Sequence, residues 1–186
     1  MENRVEIDNY TISLPAISSY IPVMNLIKKH IAGYILFSIL FGGFPESIED
    51  IDGNIINLKE LTAKKTVAVI TMKSPDCPVC QTQILRIMQI FDRLSACSVT
   101  FLILAPGPIE KLREAKELTK FPFPFIIDEK LKIARSLNLL LNNTQILPSI
   151  FILNEKLGVE WLQRGRNALY FGDPELMKRL KCEGWI

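Results

Sequence analysis

TVAVITMKSPDCPVC (residues 66–80) decides how the whole chain is read. Residues 66–72 are apolar and β-branched almost without interruption, the pattern of a strand covered on both faces. Ser74, Pro75 and Asp76 then punctuate the chain, and two cysteines three apart follow with Pro78 between them. Proline suits the first turn of a helix, where its missing N–H costs nothing. Cys77 is therefore expected where a strand passes into a helix, with Asp76 as the N-cap. CPVCQTQILRIMQIFDRL (77–94) supports that helix, since Ile84, Ile87, Met88 and Phe91 share one face. Cys77 and Cys80 fall on one face of its first turn, where Cβ atoms stand about 5–6 Å apart and a disulfide can close after a small adjustment.

That placement suits reversible sulfur chemistry. A thiol of pKa about 8.5 is roughly 3% ionised at pH 7. Lowering it by about two units at a helix N-terminus raises the thiolate some 25-fold, while the loss of intrinsic nucleophilicity takes back about eightfold. Attack gains a few-fold, and departure of the stabilised thiolate gains more. A structural zinc site is the weaker reading, because it needs a second ligand pair that only Cys97, Cys182 and His30 could supply, at unrelated spacings. A static staple is also weaker, because so short a loop constrains little.

Downstream, strand and helix patterns alternate. SVTFLILA (98–105) reads as a second buried strand, PIEKLREAKELTK (108–120) as an amphipathic helix, FPFIID (123–128) as a strand and EKLKIARSLNLL (129–140) as a helix. SIFILN (149–154) and VEWLQRG (159–165) read as a hairpin about EKLG, and DPELMKRLK (173–181) as a closing helix. Upstream, PESIEDIDGNIINLKEL (45–61) holds an Asp52-Gly53-Asn54 turn and reads as a small hairpin leading into a helical turn. The sum is an α/β fold, a central mixed sheet flanked by helices with antiparallel strands at one side.

The chain divides near residue 43, giving an N-terminal extension (1–43) and a sheet-bearing domain (44–186). Residues 31–44 carry no charge. As a helix they would be about 21 Å long against a hydrocarbon core of about 30 Å. Residues 21–44 are read as a short membrane anchor, an interfacial helix or a helix packed on protein. Lys28 and Lys29 would keep the N-terminus inside. The expected location is membrane-associated with an extracytoplasmic domain, and otherwise cytoplasmic. With 22 basic and 20 acidic residues, nothing argues for nucleic acid as a partner. Four cysteines in 186 residues are too few for a disulfide-built secreted scaffold.

From about residue 44 to 182 the chain resembles the redoxin group of the thioredoxin superfamily, which includes peroxiredoxins of the alkyl hydroperoxide reductase/thiol-specific antioxidant type. The segments that carry it are FPESIEDIDGNIINLKEL, CPVCQTQIL, FPFPFIIDEKLKIARSLNL and LPSIFILNEKLGVEWLQRG. The resemblance implies a thioredoxin-like fold, a catalytic Cys77–Cys80 pair, no cofactor and no metal. It implies a protein or small-molecule thiol or disulfide as substrate and a reducing or oxidising partner protein. Pro148 would match the cis-proline that faces the pair and lends backbone groups to a bound peptide or thiol.

Two departures guide the choice within the family. The peroxiredoxin pattern P-x-x-x-[TS]-x-x-C finds Ser74 and Cys77 in place but Ile70 where proline belongs. The arginine that such enzymes carry before the late strand is replaced by Pro148. Thiol–disulfide exchange is therefore preferred, with a peroxiredoxin-like thiol peroxidase as the alternative and a non-catalytic thioredoxin-fold binding module as a third reading. Cys97 is read as a small core residue, Cys182 as a bystander, Trp161 and Trp185 as packing residues, His30 as a helix-flank residue, and the FPFPF run as a strand with proline punctuation.

Overall fold

A computed structural model of the chain describes residues 43–95, 97–165, 176, 179 and 180. Residues 1–42, with His30 and all of the apolar segment but Gly43 and Phe44, and also Cys182 and Trp185, lie outside the described residues. A hairpin of β1 (Ser47–Glu49) and β2 (Ile55–Asn57) leads into α1 (Leu58–Lys64). β3 (Thr66–Thr71), α2 (Pro78–Gln89), the short α3 (Phe91–Ser95), β4 (Val99–Ala105) and α4 (Ile109–Thr119) follow. β5 (Phe125–Ile127), α5 (Lys132–Ser136), β6 (Ser149–Leu153) and β7 (Val159–Arg164) complete the elements.

The main sheet has the order β5-β4-β3-β6-β7. β3, β4 and β5 are parallel, while β6 runs antiparallel to β3 and β7 antiparallel to β6. This is the thioredoxin-like mixed sheet that the sequence leads one to expect. β4 and β6 are buried at every position and β3 at all but its first, because both faces are covered, whereas the edge strand β7 is only partly buried. Ala68, Ile70, Phe101, Ile103, Ile150 and Ile152 point to the side of α2 and α4, where Ile84, Ile87, Leu112 and Ala115 meet them. Val67, Val69, Leu102, Leu104, Phe151 and Leu153 point the other way, onto Leu58 of α1 and Ala134 of α5. The FPFPF run serves packing: Phe101 sits 5.3 Å from Phe123 and 6.0 Å from Phe121, ring centre to ring centre.

Two expected helices change. The helix read over 77–94 breaks at Ile90, whose N–H bonds back to Ile87 and Met88. The helix read over 129–140 is only Lys132–Ser136. Leu131 and Asn138 take left-handed backbone conformations at its two ends, and the Asp128 carboxylate accepts from Ile133 N and Ala134 N. At the C-terminus Leu176 and Leu180 are buried in the α2-side core, and Leu180 N bonds to Leu176 O at 2.9 Å.

The expected membrane-associated, extracytoplasmic location is corrected. Among the described residues no helix is long and apolar enough to cross a membrane. The longest, α2, has 12 residues, about 18 Å against about 30 Å of hydrocarbon. The segment on which that expectation rested lies outside the described residues, except for Gly43 and Phe44.

The β1–β2 hairpin is held by a side chain. The Asp50 carboxylate accepts from Asp52 N at 2.9 Å, Asn54 N at 2.8 Å and Asn54 Nδ2 at 3.0 Å, while Gly53 turns at φ +87°. Burial would raise the Asp50 carboxyl, but the Asn54 side chain, the two backbone N–H groups and the Lys116 charge together hold it below the usual carboxylate value. A depressed folded value means that its stabilisation is present above the unfolded pKa of about 3.9 and is lost as pH falls through the folded one. Asp50→Ala is expected to cost about 1–2 kcal/mol at pH 7 by urea unfolding, shrinking below about pH 4. An unchanged difference at acid pH would contradict this.

Candidate active site

The site forms where β3 ends. Met72 N continues the parallel ladder to Leu104 O at 2.9 Å, and the chain then leaves the sheet. Cys77 N bonds to Ser74 O at 3.1 Å, closing the turn, and Pro75 is buried beneath it. Gln81 Nε2 donates to Pro75 O at 2.8 Å, so the first turn of α2 grips the loop that precedes it.

The N-cap is Cys77 rather than Asp76. Cys77 has extended backbone (φ −74°, ψ 106°), and its Sγ accepts from Cys80 N at 3.3 Å. Pro78 at the first helical position leaves the preceding residue as the cap, which pushes Asp76 out to solvent. The same sulfur is joined to Cys80 in a disulfide, with Cα atoms 5.3 Å apart. Cys77 is half-buried, whereas Cys80 is 2% exposed. Cys80 Sγ accepts from Lys73 N at 3.4 Å. Each sulfur thus faces a backbone N–H, a contact that favours the charged form when the bond is reduced.

Pro148 lies alongside this turn, because Thr71 pairs with Ser149 and Ile146 N bonds to Lys73 O at 3.4 Å. The expected cis bond is corrected: among the described residues the one cis peptide is Gly107–Pro108, and Leu147–Pro148 is trans. In this conformation Leu147 O accepts the Thr71 hydroxyl at 2.7 Å and the Ser149 hydroxyl at 3.0 Å. Thr71 was not singled out in the sequence, although a hydroxyl closing an apolar run is a visible signal of such a bond.

No cationic side chain among the described residues bonds to Cys77 Sγ. Arg164 is exposed on β7, and Arg166 lies outside the described residues. Lys111 on α4 bonds Glu114 at 2.7 Å. That bond and the Glu114 charge raise its ammonium above the usual value, and Asp76 adds to the rise. Asp76, the residue before Cys77, thus has a cation within electrostatic reach.

Among the described residues no group of three or more His, Cys, Asp or Glu side chains is gathered to hold a metal ion. Cys97 packs against the core at the start of β4 as expected, yet it is disulfide-bonded and so does more than fill space. Trp161 is partly buried against the same core.

The burial difference sets an order of reactivity. In the reduced protein at pH 7, iodoacetamide is expected to alkylate Cys77 at least about tenfold faster than Cys80, as read by peptide mass. Equal labelling would contradict the assignment of an outer and an inner sulfur.

Residues 44–162 match the model of the AhpC/TSA family. Peroxidoxin BcpB from Mycobacterium tuberculosis is similar in structure, with TM-score 0.63, 15% identity, and cover of 76% of this chain and 91% of that one. The reduced 2-Cys peroxiredoxin of Plasmodium vivax aligns with TM-score 0.62, 18% identity, and cover of 75% and 90%. A secreted Mycobacterium tuberculosis disulfide oxidoreductase homologous to E. coli DsbE aligns with TM-score 0.56, 16% identity, and cover of 72% and 92%. At these identities the likeness carries the fold alone. No curated protein matches the sequence.

Proposed function

The chain belongs to the AhpC/TSA family, and from that premise we propose that it is a thiol-dependent peroxidase in which Cys77 attacks the peroxide and Cys80 resolves the product. Membership makes it a peroxiredoxin-like thiol oxidoreductase in general terms. The finer reading rests on one observation: within the matched span, two sulfurs of unequal exposure are bonded to each other at the N-terminus of α2.

In the first step the Cys77 thiolate attacks one peroxide oxygen. The O–O bond breaks, and the departing alkoxide takes a proton and leaves as alcohol or water. Cys77 becomes a sulfenic acid. The Cys80 thiolate then attacks Cys77 Sγ, forms the disulfide and expels hydroxide, which leaves as water. An external dithiol, or two thiols, returns two electrons and two protons. Cys80 N and the N-terminus of α2 hold the Cys77 thiolate, and Ser74 is the site's hydroxyl at the position where the family pattern has Thr or Ser.

The second reading, dithiol exchange with a disulfide substrate, is favoured by Ile70 and Pro148, which stand where peroxidases of this type carry proline and arginine. A missing donor to a developing oxyanion costs about 2.7–4 kcal/mol, or about 10²–10³ in rate. The peroxidase rate is therefore expected to lie that far below that of arginine-bearing enzymes, yet above free cysteine.

Cys80→Ala separates the two. With hydrogen peroxide it is expected to yield a dimedone-reactive sulfenic acid on Cys77 alone, lost in Cys77→Ser, and formed faster than on free cysteine at the same pH. A rate no faster than free cysteine, together with a trapped mixed disulfide on Cys77, would move the assignment to disulfide exchange. Reaction of neither kind would leave a binding module.

A further inference from the structure

In the wall beside Cys77 the backbone of Leu147 and Pro148 and the N–H of Ile146 are already bonded within the chain. A polypeptide held at such a pair as an added strand needs free N–H and C=O groups in alternation. Here Ile146 N donates to Lys73 O at 3.4 Å and Leu147 N to Leu139 O at 2.7 Å. Leu147 O has both acceptor positions filled, by the hydroxyls of Thr71 at 2.7 Å and Ser149 at 3.0 Å. Pro148 has no N–H, and its carbonyl accepts from Gly165 N at 2.8 Å. On the far side of the sheet, Phe125 O of the edge strand β5 accepts Ile51 N from the hairpin at 2.9 Å. The outer edge of β7 has no strand partner among the described residues. It lies two strands from β3, about 10 Å away at about 4.8 Å per strand, too far to lay a bound disulfide on Cys77.

We infer that Cys77 exchanges with low-molecular-weight thiols and disulfides, which need only this outer, half-buried sulfur, and does not take polypeptides as an added strand. The inference rests on the reading of Cys77 as the outer reactive sulfur, and it narrows what that sulfur meets. The exchange balances without a further reagent. The Cys77 thiolate attacks one sulfur of the small disulfide and releases the first thiolate. Cys80 then attacks Cys77 Sγ and releases the second. The substrate gains two electrons, and the pair is oxidised to the disulfide present in the structure. In the reverse direction two small thiols reduce the pair. Thr71 is the positioning residue, since its hydroxyl occupies the carbonyl that a peptide would otherwise use.

The test uses the reduced full chain, mixed separately with bis(2-hydroxyethyl) disulfide and with an unfolded, soluble polypeptide carrying one disulfide. Oxidation of Cys77–Cys80 is followed by acid quench, alkylation and mass, and the rates are corrected for the pKa of the leaving thiol. The expected polypeptide-to-small-molecule rate ratio is below about tenfold. A larger ratio overturns the inference, and it leaves the peroxidase reading intact if Cys80→Ala still forms the Cys77 sulfenic acid. If neither disulfide oxidises the pair and no sulfenic acid forms, the reading of Cys77 itself fails, and the inference with it.

Discussion

The placement of β3 between β4 and β6 is the constraint from which the site follows. Val67, Ala68, Val69 and Ile70 are buried on both faces, so the strand has no latitude to slide. A one-residue shift would exchange its two faces and place each side chain in the wrong core. Because the register is fixed, so is the point at which the chain leaves the sheet, just after Met72. The turn through Ser74 to Asp76 then has one short span in which to start α2. Cys77 stands at that start for a reason of packing before any reason of chemistry.

Once there, the two sulfurs are governed by backbone rather than by charged side chains. Cys80 N serves Cys77, and Lys73 N serves Cys80. These donors belong to the peptide chain and cannot swing away. They also act at short range only, unlike a guanidinium that would follow a developing charge onto a peroxide. The arrangement therefore stabilises the attacking thiolate but brings no cation to the charge that develops in oxygen–oxygen cleavage, which is why a slow peroxidase is expected. The neighbouring loop adds selectivity by keeping its own polar groups for itself. Thr71, Leu139 and Ser149 close it, so that access to Cys77 is left to groups that need no strand pairing.

Much of this was legible in the residues themselves. The runs at 66–72 and 98–105 announce central strands by their uninterrupted apolar character, and Asp52-Gly53-Asn54 announces the hairpin turn. Cys77 and Cys80, three apart after such a strand, announce a pair that can bond, as it does here. Other features depend on distant partners and were not legible. The helix read over 129–140 looks continuous in periodicity, but Asp128 starts it late and Leu139 is drawn away to pair with Leu147. The carbonyl before Pro148 likewise takes a distant partner, the Thr71 hydroxyl, more than seventy positions away in the chain. The N-cap is an intermediate case: Pro78 already pointed to Cys77 as the cap, and the greater capping propensity of Asp76 masked that signal.

The central claim is that Cys77 and Cys80 form a pair that cycles, not a permanent cross-link. The most direct measurement is an equilibrium redox titration of the full chain in thiol/disulfide buffers, with the state of these two residues read by alkylation and mass. The account predicts one two-electron transition within the range of biological thiol buffers, about −120 to −270 mV. A pair that stays oxidised below about −300 mV, as structural disulfides do, would contradict it.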